Sequence, residues 1–131
     1  MHTVMQRPAG IFALAVAMAP GSGLADESSF ERDVLPVLKS QCLMCHLPEV
    51  ELGGLSLHPD AWLSLVGIAS KQSSLMLVEA GLPDKSYLYL KVIGMQESVG
   101  GSGLQMPPAQ RLDQAGLEAI RLWIEQGAKQ N

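Results

Sequence analysis

The chain has few aromatic residues and no excess of basic ones. It contains two tryptophans, two tyrosines and two phenylalanines in 131 residues, so its small core needs reinforcement from another source. Nine basic residues stand against 13 acidic ones, for a net charge of −4, which makes nucleic acid and anionic lipid surfaces poor partners. The acidic residues are scattered, as is typical of a solvated surface rather than a docking patch.

No long apolar run is present, and a short one lies near the N-terminus. Arg7 supplies a positive charge, residues 9–19 are almost entirely apolar, and residues 23–25 offer small side chains for a signal peptidase. We expect a signal peptide at residues 1–25 and one domain at residues 26–131. The run is too short to span a bilayer comfortably, so we predict an exported, periplasmic protein with no stable membrane span. Retention as an N-terminal anchor is the alternative.

Both cysteines of the chain lie in one five-residue string, Cys42-Leu43-Met44-Cys45-His46. Two thiols three residues apart can add across the two vinyl groups of one haem, and the histidine that follows is then held beneath the iron. The string therefore predicts one covalently bound haem c, anchored by Cys42 and Cys45, with His46 as the proximal iron ligand. Such a cofactor would also fill the core that the scarce aromatic residues leave incomplete.

A Cys-x-x-Cys pair also occurs in other kinds of site. It can form a thioredoxin-like redox couple, half of a zinc site or a plain disulfide. A redox couple is expected between a strand and a helix in an alternating pattern, which this sequence lacks. A closed zinc site needs more ligands than His58 and His2 supply, and His2 falls within the predicted signal peptide.

The apolar periodicity of residues 26–131 predicts four short helices and no strand-rich region. The first is capped by Ser28 or Ser29 and reaches the cysteines, with Pro36 bending it or marking its effective start. The other three are expected from Pro59 to Val66, from Lys85 to Ile93 with Asp84 as cap, and from Asp113 to Gly127. We expect the second to pack beside the haem edge and the third to be covered by protein on one face and by haem on the other.

Met106 is the best candidate for the second axial ligand. A thioether opposite His46 gives a low-spin iron of raised potential, and the prolines at 107 and 108 stiffen the loop that presents it. Met44 falls on the wrong side of the ring, Met76 lies in an apolar run expected to be core, and Met95 directly follows a helix stop. His58 or an open site are the remaining alternatives.

Several strings occur in an order that resembles the small monohaem c-type cytochrome domains of the planctomycete-type group. They are FERDVLPVL at 30–38, CLMCH at 42–46, GGLSL at 53–57, GLPDKSYL at 81–88, MPP at 106–108 and WIEQGA at 123–128. The resemblance covers nearly all of residues 26–131. It implies an all-α, cytochrome c-like fold in which the first and last helices cross, with thioethers at Cys42 and Cys45, His46 as proximal ligand and Met106 as distal ligand.

We therefore expect an electron carrier rather than an enzyme, in which redox-partner proteins dock at the haem edge. Such domains often form part of longer proteins, whereas this one follows a signal peptide directly, which favours a free-standing carrier or small subunit. The ring nitrogen of His46 that does not bind iron is expected to carry the proton and to donate it to a carbonyl near Leu47–Pro48. The alternatives are a peroxidase-like or ligand-sensing haem subunit with a displaceable distal ligand, and a haemless Cys42–Cys45 redox or disulfide protein.

Overall fold

The computed structural model describes residues 26–131 of the chain, and the predicted signal peptide lies outside the described residues. Within them there are four α-helices and no strand: α1 Leu35–Gln41, α2 Ala61–Leu65, α3 Tyr87–Ile93 and α4 Gln114–Glu125. Single turns of 3₁₀-helix lie at Leu52–Gly54, Pro83–Lys85 and Gln96–Val99. The predicted all-α class is confirmed for this part of the chain.

A π-helical turn, Phe30–Val34, leads directly into α1. Ser29 caps it as predicted, since its hydroxyl accepts a bond from the backbone N–H of Arg32 at 3.2 Å. Pro36 occupies the first turn of α1, where its missing N–H is tolerated. The regular α-helix thus begins next to Pro36. Of the two sequence expectations, a bend or an effective start at this residue, the second is confirmed.

The first and last helical segments form the centre of the core. Phe30 and Trp123 are both buried, with ring centroids 5.1 Å apart, a distance typical of a favourable aromatic pair. Asp113 caps α4 by accepting from the N–H of Gly116 at 2.8 Å, as predicted. The backbone N–H of Glu31 donates to the carbonyl of Asn131 at 3.0 Å, so the two ends of the described chain close on each other.

The second and third helices begin later than the sequence predicts. The helix α2 begins at Ala61 rather than at Pro59, and Asp60 caps it by accepting from the N–H of Leu63 at 3.0 Å. Asp84 caps nothing; it lies in the 3₁₀ turn before α3. Ser86 then has extended backbone, and its buried hydroxyl bonds to the backbone of the loop at residues 79–82, which interrupts the helix that Asp84 was expected to start.

Residues 66–78 form a loop joined by isolated bridges between Val66 and Val78 and between Ala69 and Met76. Val78 is fully buried there, but Met76 is 38% exposed, so the expectation that Met76 belongs to the core is wrong. Met76 and Val78 are two residues apart and would share one face of a regular strand. The alternation of the run therefore does not predict which of the two is buried.

Candidate functional site

A cleft opens between the end of α1, the loop that follows it, one face of α3 and the loop before α4. It holds about 890 Å³ of space free of protein atoms, counted out into the solvent at its mouth. Its walls are mostly apolar: Leu38, Leu52, Leu55, Leu57, Leu77, Leu88, Val92 and Leu104 line it. Cys42, His46 and Met106 line the same cleft. Three of the four predicted site residues are thus brought together from segments 60 residues apart.

The chain from Cys42 to His46 continues the helical path of α1 for about one more turn. The backbone N–H of Cys45 donates to the Cys42 carbonyl at 3.2 Å, and the N–H of His46 donates to the carbonyls of Cys42 and Leu43 at 3.2 and 3.1 Å. Cys42 is half-buried in the cleft wall, while Cys45 is exposed and does not line the cleft. The spacing of the motif therefore presents one thiol to the cavity and one to its exterior.

Both cysteines are free thiols. Burial raises the pKa of the Cys42 thiol to about 11, with a smaller contribution from the neighbouring Cys45. Catalytic thiols in Cys-x-x-Cys redox couples have lowered pKa values. The shift at Cys42 has the opposite sign, which argues against the thioredoxin-like interpretation of the pair.

His46 is oriented by the loop at residues 55–57. Its Nδ1 lies 3.3 Å from the carbonyl oxygen of Leu55, and its own carbonyl accepts from the N–H of Leu57 at 2.8 Å. A proton on Nδ1 bonded to that carbonyl leaves Nε2 with its lone pair free for a metal. A histidine arranged in this way has the second-sphere hydrogen bond that metal-bound histidines generally make.

The expected carbonyl near Leu47–Pro48 is not the partner of His46. The Leu47 carbonyl already accepts the N–H groups of Val50 and Glu51, the latter at 2.8 Å. The chain then turns back through Gly53 and Gly54, whose φ values of 67° and 73° are in the left-handed region. This turn returns Leu55 to the histidine, so the Gly-Gly pair was the sequence signal for the true acceptor.

Met106 follows His46 by 60 residues in the sequence, but both residues line the same cleft. Its backbone N–H donates to the Lys91 carbonyl of α3 at 3.0 Å. The neighbouring Gln105 side chain donates to the Val92 carbonyl at 2.7 Å, and the Gln96 side chain donates to the Gly103 carbonyl at 2.8 Å. These three hydrogen bonds are among those that attach the loop that carries Met106 to α3 and to the turn after it.

The competing donors lie elsewhere. Met44 is 86% exposed, Met95 is 50% exposed, and neither lines the cleft. Met76 and His58 are also exposed and outside it. Among residues 26–131, Met106 is the one methionine in the cleft wall.

One face of α3 lines the cleft, whereas α2 does not. No residue of α2 lines the cleft; Trp62 instead donates from Nε1 to the Ala128 carbonyl at 2.8 Å. On α3, one face contributes Tyr87, Leu88, Lys91 and Val92 to the cleft. Leu90, on another side of the same helix, is buried by protein. The cleft wall gives no support to the expectation that α2 packs beside a haem edge, which stays a prediction.

Sequence reasoning did not single out the polar residues of the cleft. The Tyr87 hydroxyl donates to Gln72 Oε1 at 3.1 Å, and Ser70 and Lys91 line the same cavity. Burial raises the pKa of the Tyr87 phenol and lowers the pKa of the Lys91 ammonium. A lysine in the middle of the otherwise apolar run 87–93 was the signal that could have identified this group.

No protein-family model matches the chain, and comparisons with curated proteins and with solved structures find no match either. Within residues 26–131, no group of three or more His, Cys, Asp or Glu side chains is placed to hold a metal ion. In the same part of the chain, no helix has the length and apolar character needed to cross a membrane.

Proposed function

We propose that the protein is a monohaem c-type cytochrome with a cytochrome c-like fold, and that it carries electrons between partner proteins. The observation that supports this most strongly is the convergence of Cys42, His46 and Met106 on one apolar cleft. The three come from the end of α1, the turn after it and the loop before α4. A thiol, an imidazole and a thioether around an apolar cavity are the groups that hold a c-type haem with His/Met ligation.

The three residues that line the cleft fit such a group, whereas Cys45 lies outside the cleft and would have to turn toward it to form the second thioether. Cys42 and Cys45 would supply the thioether anchors, His46 Nε2 the proximal ligand and Met106 Sδ the distal one. The free lone pair of His46 Nε2 and the apolar walls agree with this assignment. Two donors from separate segments suit a metal that brings its remaining ligands in a macrocycle.

Bound haem would supply an iron that alternates between the ferric and ferrous states. The chain's own contribution is to keep the two ligand atoms in place during that change. Leu55 fixes the His46 ring through Nδ1, and α3 fixes the Met106 loop through the Lys91 and Val92 carbonyls. The apolar walls limit water access, which favours the less charged, reduced form and raises the potential.

Export to the periplasm belongs to the same proposal, because c-type haem is attached outside the cytoplasm. The predicted signal peptide at residues 1–25 would direct the chain there. We propose partner proteins that dock beside the haem edge. The peroxidase-like or ligand-sensing alternative calls for a distal acid–base group, and the one histidine expected for it, His58, is outside the cleft.

Visible spectra of the full chain, expressed with an export signal in a host that attaches c-type haem, test the proposal. We expect a low-spin spectrum with the weak red methionine-to-iron band, and no change on addition of carbon monoxide to the reduced protein. Met106→Ala should abolish the red band. Met95→Ala is the matched control, since Met95 is exposed outside the cleft, and it should retain the band.

Three results would contradict the proposal in distinct ways. A colourless protein with a Cys42–Cys45 disulfide would exclude haem attachment. Loss of the band in Met95→Ala but not in Met106→Ala would exclude Met106 as the ligand. Binding of carbon monoxide by the wild-type protein would favour the ligand-sensing or peroxidase-like alternative.

A further inference from the structure

Lys91 is a buried cation in the wall of the cleft. Its side chain is on the third helix, α3, and the residue is only 9% exposed. The ammonium donates to the Ser102 carbonyl and lies 6.0 Å from the centre of the Tyr87 ring. None of the ion pairs within residues 26–131 includes Lys91. A neutral carbonyl is therefore its hydrogen-bond acceptor, and no carboxylate balances its charge.

A buried charge is costly unless an opposite charge or several hydrogen bonds compensate for it. One carbonyl satisfies one of the three ammonium protons. Lys91 lines the cleft, and within residues 26–131 the Ser102 carbonyl is the one acceptor bonded to its ammonium. Such an arrangement is favourable when the cavity receives an anion.

Further donors are linked to Lys91 along the same wall. Gln72 Oε1 accepts the Tyr87 hydroxyl at 3.1 Å, which leaves the Gln72 amide N–H groups as donors. The Ser70 hydroxyl oxygen accepts from the backbone N–H of Gln72 at 3.1 Å, which leaves its O–H as a donor. Ser70, Gln72 and Lys91 all line the cleft. An ammonium, an amide and a hydroxyl form a donor set that suits a carboxylate.

We infer that Lys91, Gln72 and Ser70 form a carboxylate-binding subsite within the cleft, and that it binds the propionate side chains of the haem. The inference rests on the proposed function and adds to it the group that positions the polar end of the cofactor. Cys42 and His46 would hold the cofactor through covalent and axial bonds, while this subsite would compensate its negative charges. Lys91 would thereby gain the ionic partner that the described chain does not provide.

Lys91→Met in the full, haem-loaded chain tests the subsite, because methionine keeps the length of the side chain and removes the charge. Lys85→Met is the control, since Lys85 is exposed and outside the cleft. Resonance Raman spectra report the propionate bending bands, redox titration gives the midpoint potential, and the red band reports Met106. We expect Lys91→Met to shift the propionate bands and lower the midpoint potential, since a nearby cation favours the reduced iron. The red band should remain, and Lys91→Arg should restore both shifted properties.

Propionate bands and a potential unchanged in Lys91→Met would overturn the subsite while leaving haem binding intact. Loss of the red band together with the shifts, without rescue by Lys91→Arg, would also overturn it, because Lys91 would then act on the Met106 loop through Ser102. Should Lys91→Met give no haem-loaded protein, Gln72→Leu replaces it, and unshifted propionate bands in that variant overturn the inference. A wild-type chain that carries no haem overturns the proposed function itself.

Discussion

The backbone N–H of Met106 donates to the carbonyl of Lys91 at 3.0 Å, so the loop before α4 is joined to the middle of α3. The same lysine reaches back to the loop with its side chain, which bonds to the Ser102 carbonyl. Lys91 thus contacts the loop at two points four residues apart. The backbone bond holds Met106 itself at the cleft, while the side-chain bond fixes the loop at Ser102, four residues earlier.

Gly101 lies in this loop at a place where no side chain fits beside Tyr87 of α3. A Cβ placed there would lie 2.3 Å from the Tyr87 hydroxyl and 2.9 Å from the backbone oxygen of Gln96. Because the Gln96 contact is backbone, the loop itself must move in Gly101→Ala. We expect a loss of about 1–3 kcal/mol in the free energy of unfolding, measured by denaturant titration, together with a weakened or absent red band.

Gly100→Ala is the matched control for that variant. A Cβ at Gly100 has open space around it, but its φ of 80° is in the left-handed region, so alanine there costs about 1–2 kcal/mol of backbone strain. Stability should therefore fall in both variants, while the red band weakens only in Gly101→Ala. Equal weakening in the two would show that general destabilisation, rather than the close approach to Tyr87 and Gln96, controls Met106.

The two cysteines should differ in reactivity wherever haem is not attached. In full chain produced without haem attachment, we expect iodoacetamide to modify exposed Cys45 before half-buried Cys42. The Cys42 thiol has a pKa of about 11, and the thiolate is the reactive form. Its alkylation rate should therefore rise about tenfold for each pH unit between 7 and 10. Mass spectrometry of tryptic peptides at several pH values follows both sites.

Faster modification of Cys42 than of Cys45 at pH 7 would contradict this order. A Cys45→Ser variant removes competition from the second thiol and serves as the control. In haem-loaded protein neither cysteine should react, since both sulfurs would be thioethers.

Local signals in the sequence predicted the first and last helical segments, which form the centre of the core. Ser29 and Asp113 are capping side chains whose partners lie three residues away, and the stripes of α1 and α4 follow directly from helical periodicity. The proximity of Cys42 and His46 is equally local. The fold brings Met106 to the same cleft, although the assignment of that residue rested on a resemblance and on the stiffness of its prolines.

The sequence predictions that the structure corrects fail where a contact between residues distant in the chain outweighs a local preference. Asp84 is an acceptable cap, but the buried hydroxyl of Ser86 bonds to the Glu79 N–H at 2.9 Å and interrupts the helix there. The Leu55 carbonyl could not be matched to His46 without the turn at Gly53–Gly54. Met76 illustrates the same point, since an apolar run does not reveal which of its side chains face solvent.

Loss of the α4 cap should affect stability without affecting the cleft. Asp113→Ala removes the bond from the Gly116 N–H at 2.8 Å, and we expect a loss of about 1 kcal/mol, within the usual range for such caps. Asp113→Asn keeps an acceptor oxygen and should lose only a few tenths of that amount. Thermal unfolding of the two variants, with the red band as a second readout, tests this. If Asp113→Asn loses as much stability as Asp113→Ala, the carboxylate charge rather than the hydrogen bond stabilises the start of α4.

Trp62→Phe tests whether α2 is independent of the cleft. Trp62 Nε1 donates to the Ala128 carbonyl at 2.8 Å, so the variant loses one partly buried hydrogen bond. Its free energy of unfolding should therefore fall by about 1 kcal/mol. Because α2 does not line the cleft, the visible spectrum and midpoint potential should match those of the wild type. Leu88→Ala supplies the contrast, since Leu88 lines the cleft and its truncation admits water, which should lower the midpoint potential. A change of potential in Trp62→Phe would instead place α2 beside the cofactor, as the sequence had suggested.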